Sequence, residues 1–200
     1  MSRSLFKFGS IIFVLTFIII AIDYSGKVAK EKRYKQYESE SVRVETILAW
    51  QSWNKSLLSK TESINILFRK DWIPVDMNHD VNINQVIKKV GNTNVIIEKA
   101  YRQLIQGDDE VVMMVNLEQA TKKLQGSFLI DSIFDNGWSD LPVNLTFYHL
   151  NKLIEVESYS YGTGDRITVS LPIEILERYD YEIEVVLQGL ALYEYNYIGT

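Results

Sequence analysis

Phe8 to Ile22 passes without a single charged residue, and Ile11–Ile22 within it has Thr16 as its only polar member. A helix that is apolar on every side has to be covered, by lipid or by protein. The Phe, Ile, Leu and Val residues of this run favour bilayer insertion by roughly 3–6 kcal/mol, at about 0.3–0.6 kcal/mol each. A span takes about 20 residues. The expected anchor therefore covers 5–24, with Lys7 snorkelling outward and Leu5, Phe6 and Tyr24 at the interfaces. Arg3 and Lys7 also resemble the basic start of a cleaved signal. However, Ala21-Ile22-Asp23-Tyr24-Ser25-Gly26 offers no well-placed pair of small residues for cleavage. The expectation is a retained single-pass transmembrane helix.

The division that follows is a short basic tail (1–4), the anchor (5–24), a juxtamembrane helix or stalk (25–61) and one domain (62–200). With 200 residues and 46% hydrophobic content, the chain is long and apolar enough to bury a core without staples. It contains no cysteine, so disulfides, thiolate nucleophiles and cysteine-bound zinc do not arise. The net charge of −5 argues against a nucleic-acid partner. Basic residues gather just beyond the apolar run, at Lys27, Lys30, Lys32, Arg33 and Lys35, as candidates for contact with lipid headgroups. Read literally, those five place the domain in the cytoplasm by the positive-inside rule. Long domains translocate largely regardless of charge, and a short basic tail before an apolar run begins many exported signal-anchors. An exported domain, periplasmic or extracellular, is the expectation.

Residues 25–61 contain a single glycine, at Gly26, and no proline. Val44, Ile47, Leu48, Leu57 and Leu58 recur at helical spacing. Pro74 marks a loop from Asp71 to His79. Short helices are expected over 83–90, closed by Gly91, over 95–105, stopped at Gly107, and over 117–124. Val111–Val115 suits a buried strand. From Ser127 onward the period becomes two, at Val143/Leu145/Phe147, Ile167/Val169/Leu171 and Tyr181/Ile183/Val185/Leu187. Turn signals at Asp135-Asn136-Gly137, Asn151-Lys152 and Gly162–Asp165 separate these strands. Helices first and antiparallel strands later define an α+β class.

Catalytic patterns are sparse. Asp76-Met77-Asn78-His79-Asp80 begins like a calcium loop, but Val81 and Ile87 occupy the positions that need glycine and glutamate. Gly162-Thr163-Gly164-Asp165 lacks the lysine and following helix of a phosphate loop. Asp108-Asp109-Glu110, Asp131, Asp135 and His149 are the remaining acid–base candidates, with nothing convergent around them. No enzyme activity, cofactor or metal is expected. Tyr193, Tyr195 and Tyr197 share one face of a strand and are the candidate partner-binding stripe, with cross-strand packing as the alternative.

The layout of tail, span, stalk and small domain is similar to that of pilin-like subunits and other pilus or secretion assembly components. The resemblance covers no motif: Gly9 is followed by Ser10, and Val14 stands where a pilin-like junction has glutamate. The expected role is a non-enzymatic envelope component working through protein–protein contacts or self-association. A holin-like lysis protein or a ligand sensor is the alternative.

Overall fold

A computed structural model describes residues 2–39, 42–121, 124–134, 138–140, 144–156, 159–162 and 166–199; in the first helix the side chains described are those of residues 16, 18–33, 35 and 36. Helix α1 (Ser2–Ser39) and short helix α2 (Val44–Ala49) precede strand β1 (Trp53–Phe68) and a single 3-10 turn, Lys70–Trp72. Then come β2 (Val81–Val90), β3 (Thr93–Ile105), β4 (Asp108–Gln119), β5 (Gln125–Ile130), β6 (Ser132–Phe134), β7 (Trp138–Asp140), β8 (Asn144–His149) and β9 (Lys152–Ile154). The chain ends with β10 (Ser160–Gly162), β11 (Ile167–Pro172), α3 (Ile173–Arg178) and β12 (Ile183–Tyr197).

Ten of the described strands form two five-stranded antiparallel sheets, and β6 and β7 pair with each other. In the first the order is β1-β12-β8-β9, and β5 also pairs with β12; in the second it is β10-β11-β4-β3-β2. Ile64, Ile66, Phe68, Phe147, Val185 and Leu187 of the first sheet share one buried cluster with Val95, Ile97, Val111, Met113, Val169 and Leu171 of the second. The two sheets thus pack face to face as a sandwich, and the alternation along each strand follows from it.

The fold is therefore mostly β, which corrects the α+β expectation. Segments 83–90 and 95–105 are strands, 117–119 is the end of β4, and 122–123 lie outside the described residues; within 25–61 the chain is helix to Ser39 and again over Val44–Ala49, and from Trp53 it is strand. The physical reason is visible in the register. Pairing between β2 and β3 slips at Asn82/Gln85 and at Val86/Lys88, and pairing between β3 and β4 slips at Ile97/Lys99. An extra residue in a strand changes an inward spacing of two into three or four. The core thus receives Ile83, Ile87 and Val90 from β2, and Val95, Ile97 and Ala100 from β3. Those spacings imitate a helix face.

The bulges have a second effect on the long strand β12. Gly189, at φ +101°, falls between Gln188 and Leu190, which face the adjacent residues Ser63 and Glu62 of β1. Before this bulge Ile183, Val185 and Leu187 face the sandwich core. After it Ala191, Tyr193, Tyr195 and Tyr197 face a second cluster on the opposite side of the sheet, with Trp53, Phe128 and Ile130. Helix α2 covers that cluster with Val44, Ile47 and Leu48, held by Val42 N–H donating to the Thr121 carbonyl at 3.3 Å.

Helix α1 leaves the sandwich at this same end, where Trp53 pairs with Tyr197 and the Lys30 side chain lies over Gly199. Among the described residues no helix is long and apolar enough to cross a membrane. In the described part of α1, Ile18–Ile22 is followed at once by Asp23 and then by Lys27. The expectation of a single-pass span is corrected accordingly.

Candidate functional site

At the far end of the first sheet, three chain segments enclose a cleft of about 530 Å³. Leu67 to Asp71 closes one side, Tyr148, Leu150 and Asn151 the other, and Asp180, Glu182 and Glu184 form the floor and mouth. The cross-strand register explains the grouping: Leu67 faces Glu184, Glu184 faces Tyr148, and Tyr148 faces Leu153, so one row crosses all four strands on the solvated face. Leu67 and Leu150, both in the lining, are 48% and 70% exposed, which sets two leucines around one opening.

Three residues of the cleft sit in the left-handed backbone region, which leucine disfavours most. The β8–β9 turn places Leu150 at φ +49° and Asn151 at φ +62°. Turns with positive φ at both central residues select Asn-Gly or Asp-Gly, and a side chain like leucine costs about 1–2 kcal/mol there. The third is Asp180, at φ +51°, two residues past Arg178, the last residue of α3. Asp180 N–H donates to the Glu177 carbonyl at 3.1 Å and Tyr181 N–H to the Leu176 carbonyl at 2.7 Å, the paired helix stop in which glycine is usual. A carboxylate at a helix C-terminus also opposes the helix dipole. Both unfavourable choices place a side chain at the mouth of one cleft. Strained positions of this kind gather where a side chain has work other than folding.

The charge in the cleft is mixed with an acidic excess. Arg69 pairs with Asp71 at 3.1 Å and lies over the Trp72 ring; Lys70 lies over the Tyr181 ring. Glu184 accepts a 2.7 Å hydrogen bond from Asn65. Asp180 and Glu182 are exposed at the rim. His149 sits beside the cleft with Nδ1 2.9 Å from the Glu182 carbonyl oxygen and its ring against Tyr179, so it braces the start of β12.

The residues singled out from sequence are placed elsewhere or apart. Tyr193, Tyr195 and Tyr197 are buried beneath α2; Tyr195 stacks obliquely on Phe128 and Trp53, and its hydroxyl accepts a 2.8 Å hydrogen bond from Asn92. Burial pushes its phenol above the usual tyrosine range, against the pull of that hydrogen bond. The stripe is 1–9% exposed, as in the cross-strand packing alternative. Asp131 follows Ile130, which faces Ala191, whereas His149 follows Tyr148, which faces Glu184. The two are thus roughly 20–25 Å apart along β12. Asp135 and Thr163–Asp165 lie outside the described residues. Asp109 pairs with Arg102, whose guanidinium also donates to the Val75 carbonyl at 3.0 Å; buried Glu110 accepts from Ser170; Asp76 holds His79 at 2.8 Å. These contacts are structural. Among the described residues no three His, Asp or Glu side chains converge as metal ligands. Lys27, Lys30, Lys32, Arg33 and Lys35 are exposed on α1, with Lys27 paired to Asp23 and Lys35 to Glu31.

A second cleft, of about 610 Å³, lies at the opposite end and is lined by polar side chains including Asn54, Asn92, Gln125 and Asn196. It carries neither exposed leucines nor a left-handed non-glycine residue. The first cleft is the stronger candidate. The sequence carried one signal for it: a leucine inside the turn His149-Leu150-Asn151-Lys152, where a small or polar residue is the ordinary choice.

Compared with protein-family models, with curated proteins and with solved structures, the chain matches none.

Proposed function

We propose that the sandwich is a non-enzymatic docking module with an assembly or scaffold role, and that it captures a protein segment bearing both basic and apolar side chains in the leucine-rimmed cleft. The observation that supports this most is Leu150: a large apolar side chain held at 70% exposure by a turn that disfavours it. Two exposed leucines, Leu67 and Leu150, around one opening form the kind of apolar patch that marks an interaction site. The carboxylates of Asp180, Glu182 and Glu184 set the sign of the partner and steer its approach.

The test is a titration of the full chain with a fluorescent twelve-residue peptide of alternating lysine and leucine pairs. Wild-type chain is expected to bind it, and Asp180→Lys with Glu182→Lys to weaken binding about tenfold, since tenfold is 1.4 kcal/mol spread over two rim charges. The loss is expected to shrink as salt is raised. Equal binding by wild type and the double variant at low salt would remove the reading.

A further inference from the structure

We infer that the segment taken up by the cleft is the basic stretch of α1, residues 27–35, from a second copy of this chain, so that copies join head to tail. The inference rests on the docking reading and adds the identity of the occupant.

Charge is the first argument. Up to Ser39 the chain has seven basic and three acidic residues; the remaining residues have fourteen basic and twenty-three acidic. One molecule thus carries a basic projection and an acidic body. Within the projection Lys30, Lys32 and Arg33 have no ion-pair partner among the described residues, while Lys27 and Lys35 are partnered only by acids of their own helix. Val28, 47% exposed, supplies an apolar side chain in the same stretch.

Reach is the second argument, because it separates a second copy from self-docking. The helix enters at the Trp53–Tyr197 end of the sheet, and the cleft lies at the Phe68–Ile183 end. Sixteen residues of bulged strand separate the two by roughly 40–50 Å. The basic stretch is itself at the first of these ends, where the Lys30 side chain lies against Gly199, two residues past Tyr197. The basic stretch therefore sits a sheet's length from its own cleft. Its exposed side chains can meet the cleft of another copy, and because donor and acceptor lie at opposite ends, that contact is heterologous and repeats.

The absence of natural cysteine makes the contact directly readable. Full-length chain carrying Lys32→Cys is mixed with full-length chain carrying Leu150→Cys under mild oxidation, with Thr61→Cys on β1 as the control acceptor. A mixed disulfide at least fivefold above the control is expected, together with a sedimentation mass that rises with concentration and returns to the monomer in Lys30→Glu/Lys32→Glu/Arg33→Glu. Mixing that triple variant with Asp180→Lys/Glu182→Lys is expected to restore association. A wild-type chain that stays monomeric at about 100 µM, or a mixed disulfide no greater than the control, overturns the inference. So does a monomer whose basic stretch instead binds anionic vesicles. If the lysine–leucine peptide still binds such a monomer at the cleft, the docking reading survives and the occupant is wrong; if it does not bind, both fail.

Discussion

Tyr195→Ala is expected to destabilise the chain by about 3–5 kcal/mol, the range for removing a large buried ring. Tyr195 is 1% exposed, and its ring lies 5.7 Å from that of Phe128 and 5.8 Å from that of Trp53. Truncation leaves a cavity beneath α2 that neither strand can close, since β1 and β5 flank β12 on both sides there. Tyr195→Phe keeps the ring and loses only the hydrogen bond from Asn92, so about 1 kcal/mol is expected. Urea unfolding of the two variants, read as midpoint and slope, separates these values. The same pair tests the alkaline limb. The folded phenol titrates above its unfolded value of 10.0, so its contribution is fully present below that pH and is lost as pH rises through the folded pKa. Tyr195→Phe is expected to lose less stability than wild type on going from pH 9 to pH 12. A surface role for the stripe predicts the opposite pattern, near-normal folding in the alanine variant.

The second large effect is expected at Gly91→Ala, about 2–5 kcal/mol. Gly91 opens the β2–β3 turn at φ +57°, and the turn is seated against β5 by Asn92 N–H donating to the Ser127 carbonyl at 2.7 Å. A Cβ at this position would lie 2.1 Å from Ser127 Oγ and 2.6 Å from the Ser127 carbonyl oxygen. The hydroxyl is free to rotate, but the carbonyl is fixed in the strand. A left-handed penalty of about 1–2 kcal/mol therefore adds to an overpacking term of about 1–3 kcal/mol. Gly107, at φ +102° with open space around its Cβ position, is the control. Gly107→Ala is expected to show the backbone penalty alone in the same thermal or urea measurement.

These two sites also show which parts of the fold the residues announce. The alternation at Leu145/Phe147, Ile167/Val169/Leu171 and Ile183/Val185/Leu187 reads correctly as strand because no bulge interrupts it. In β2 and β3 the same physics is hidden. Bulges at Asn82–Gln85, Val86–Lys88 and Ile97–Lys99 respace the inward residues, and Ile83, Ile87 and Val90 then mimic a helix stripe. Gly91 and Gly107 were legible as stops, though they end strands and not helices. The tyrosine stripe was legible as one face of a strand. Which side of the sheet it meets depends on the Gly189 bulge and on α2 returning over it, both long-range facts. The cleft was least legible of all. Its members come from β1, the β8–β9 turn and the start of β12, and only the register brings Leu67, Glu184, Tyr148 and Leu153 into one row.

Leu150 and Asp180 link stability to docking with opposite signs, and that relation distinguishes a built site from an incidental hollow. Removing a side chain that serves only folding lowers stability, while removing one that serves a partner at a strained position raises it. The deciding measurement is a thermal melt of Leu150→Asn/Asn151→Gly set beside its binding of the lysine–leucine peptide. The expected result is a melting temperature higher by about 2–8 °C, from relief of about 1–2 kcal/mol at about 2–4 °C per kcal/mol, with peptide binding reduced at least tenfold. A melting temperature that falls while peptide binding is unchanged would contradict the account.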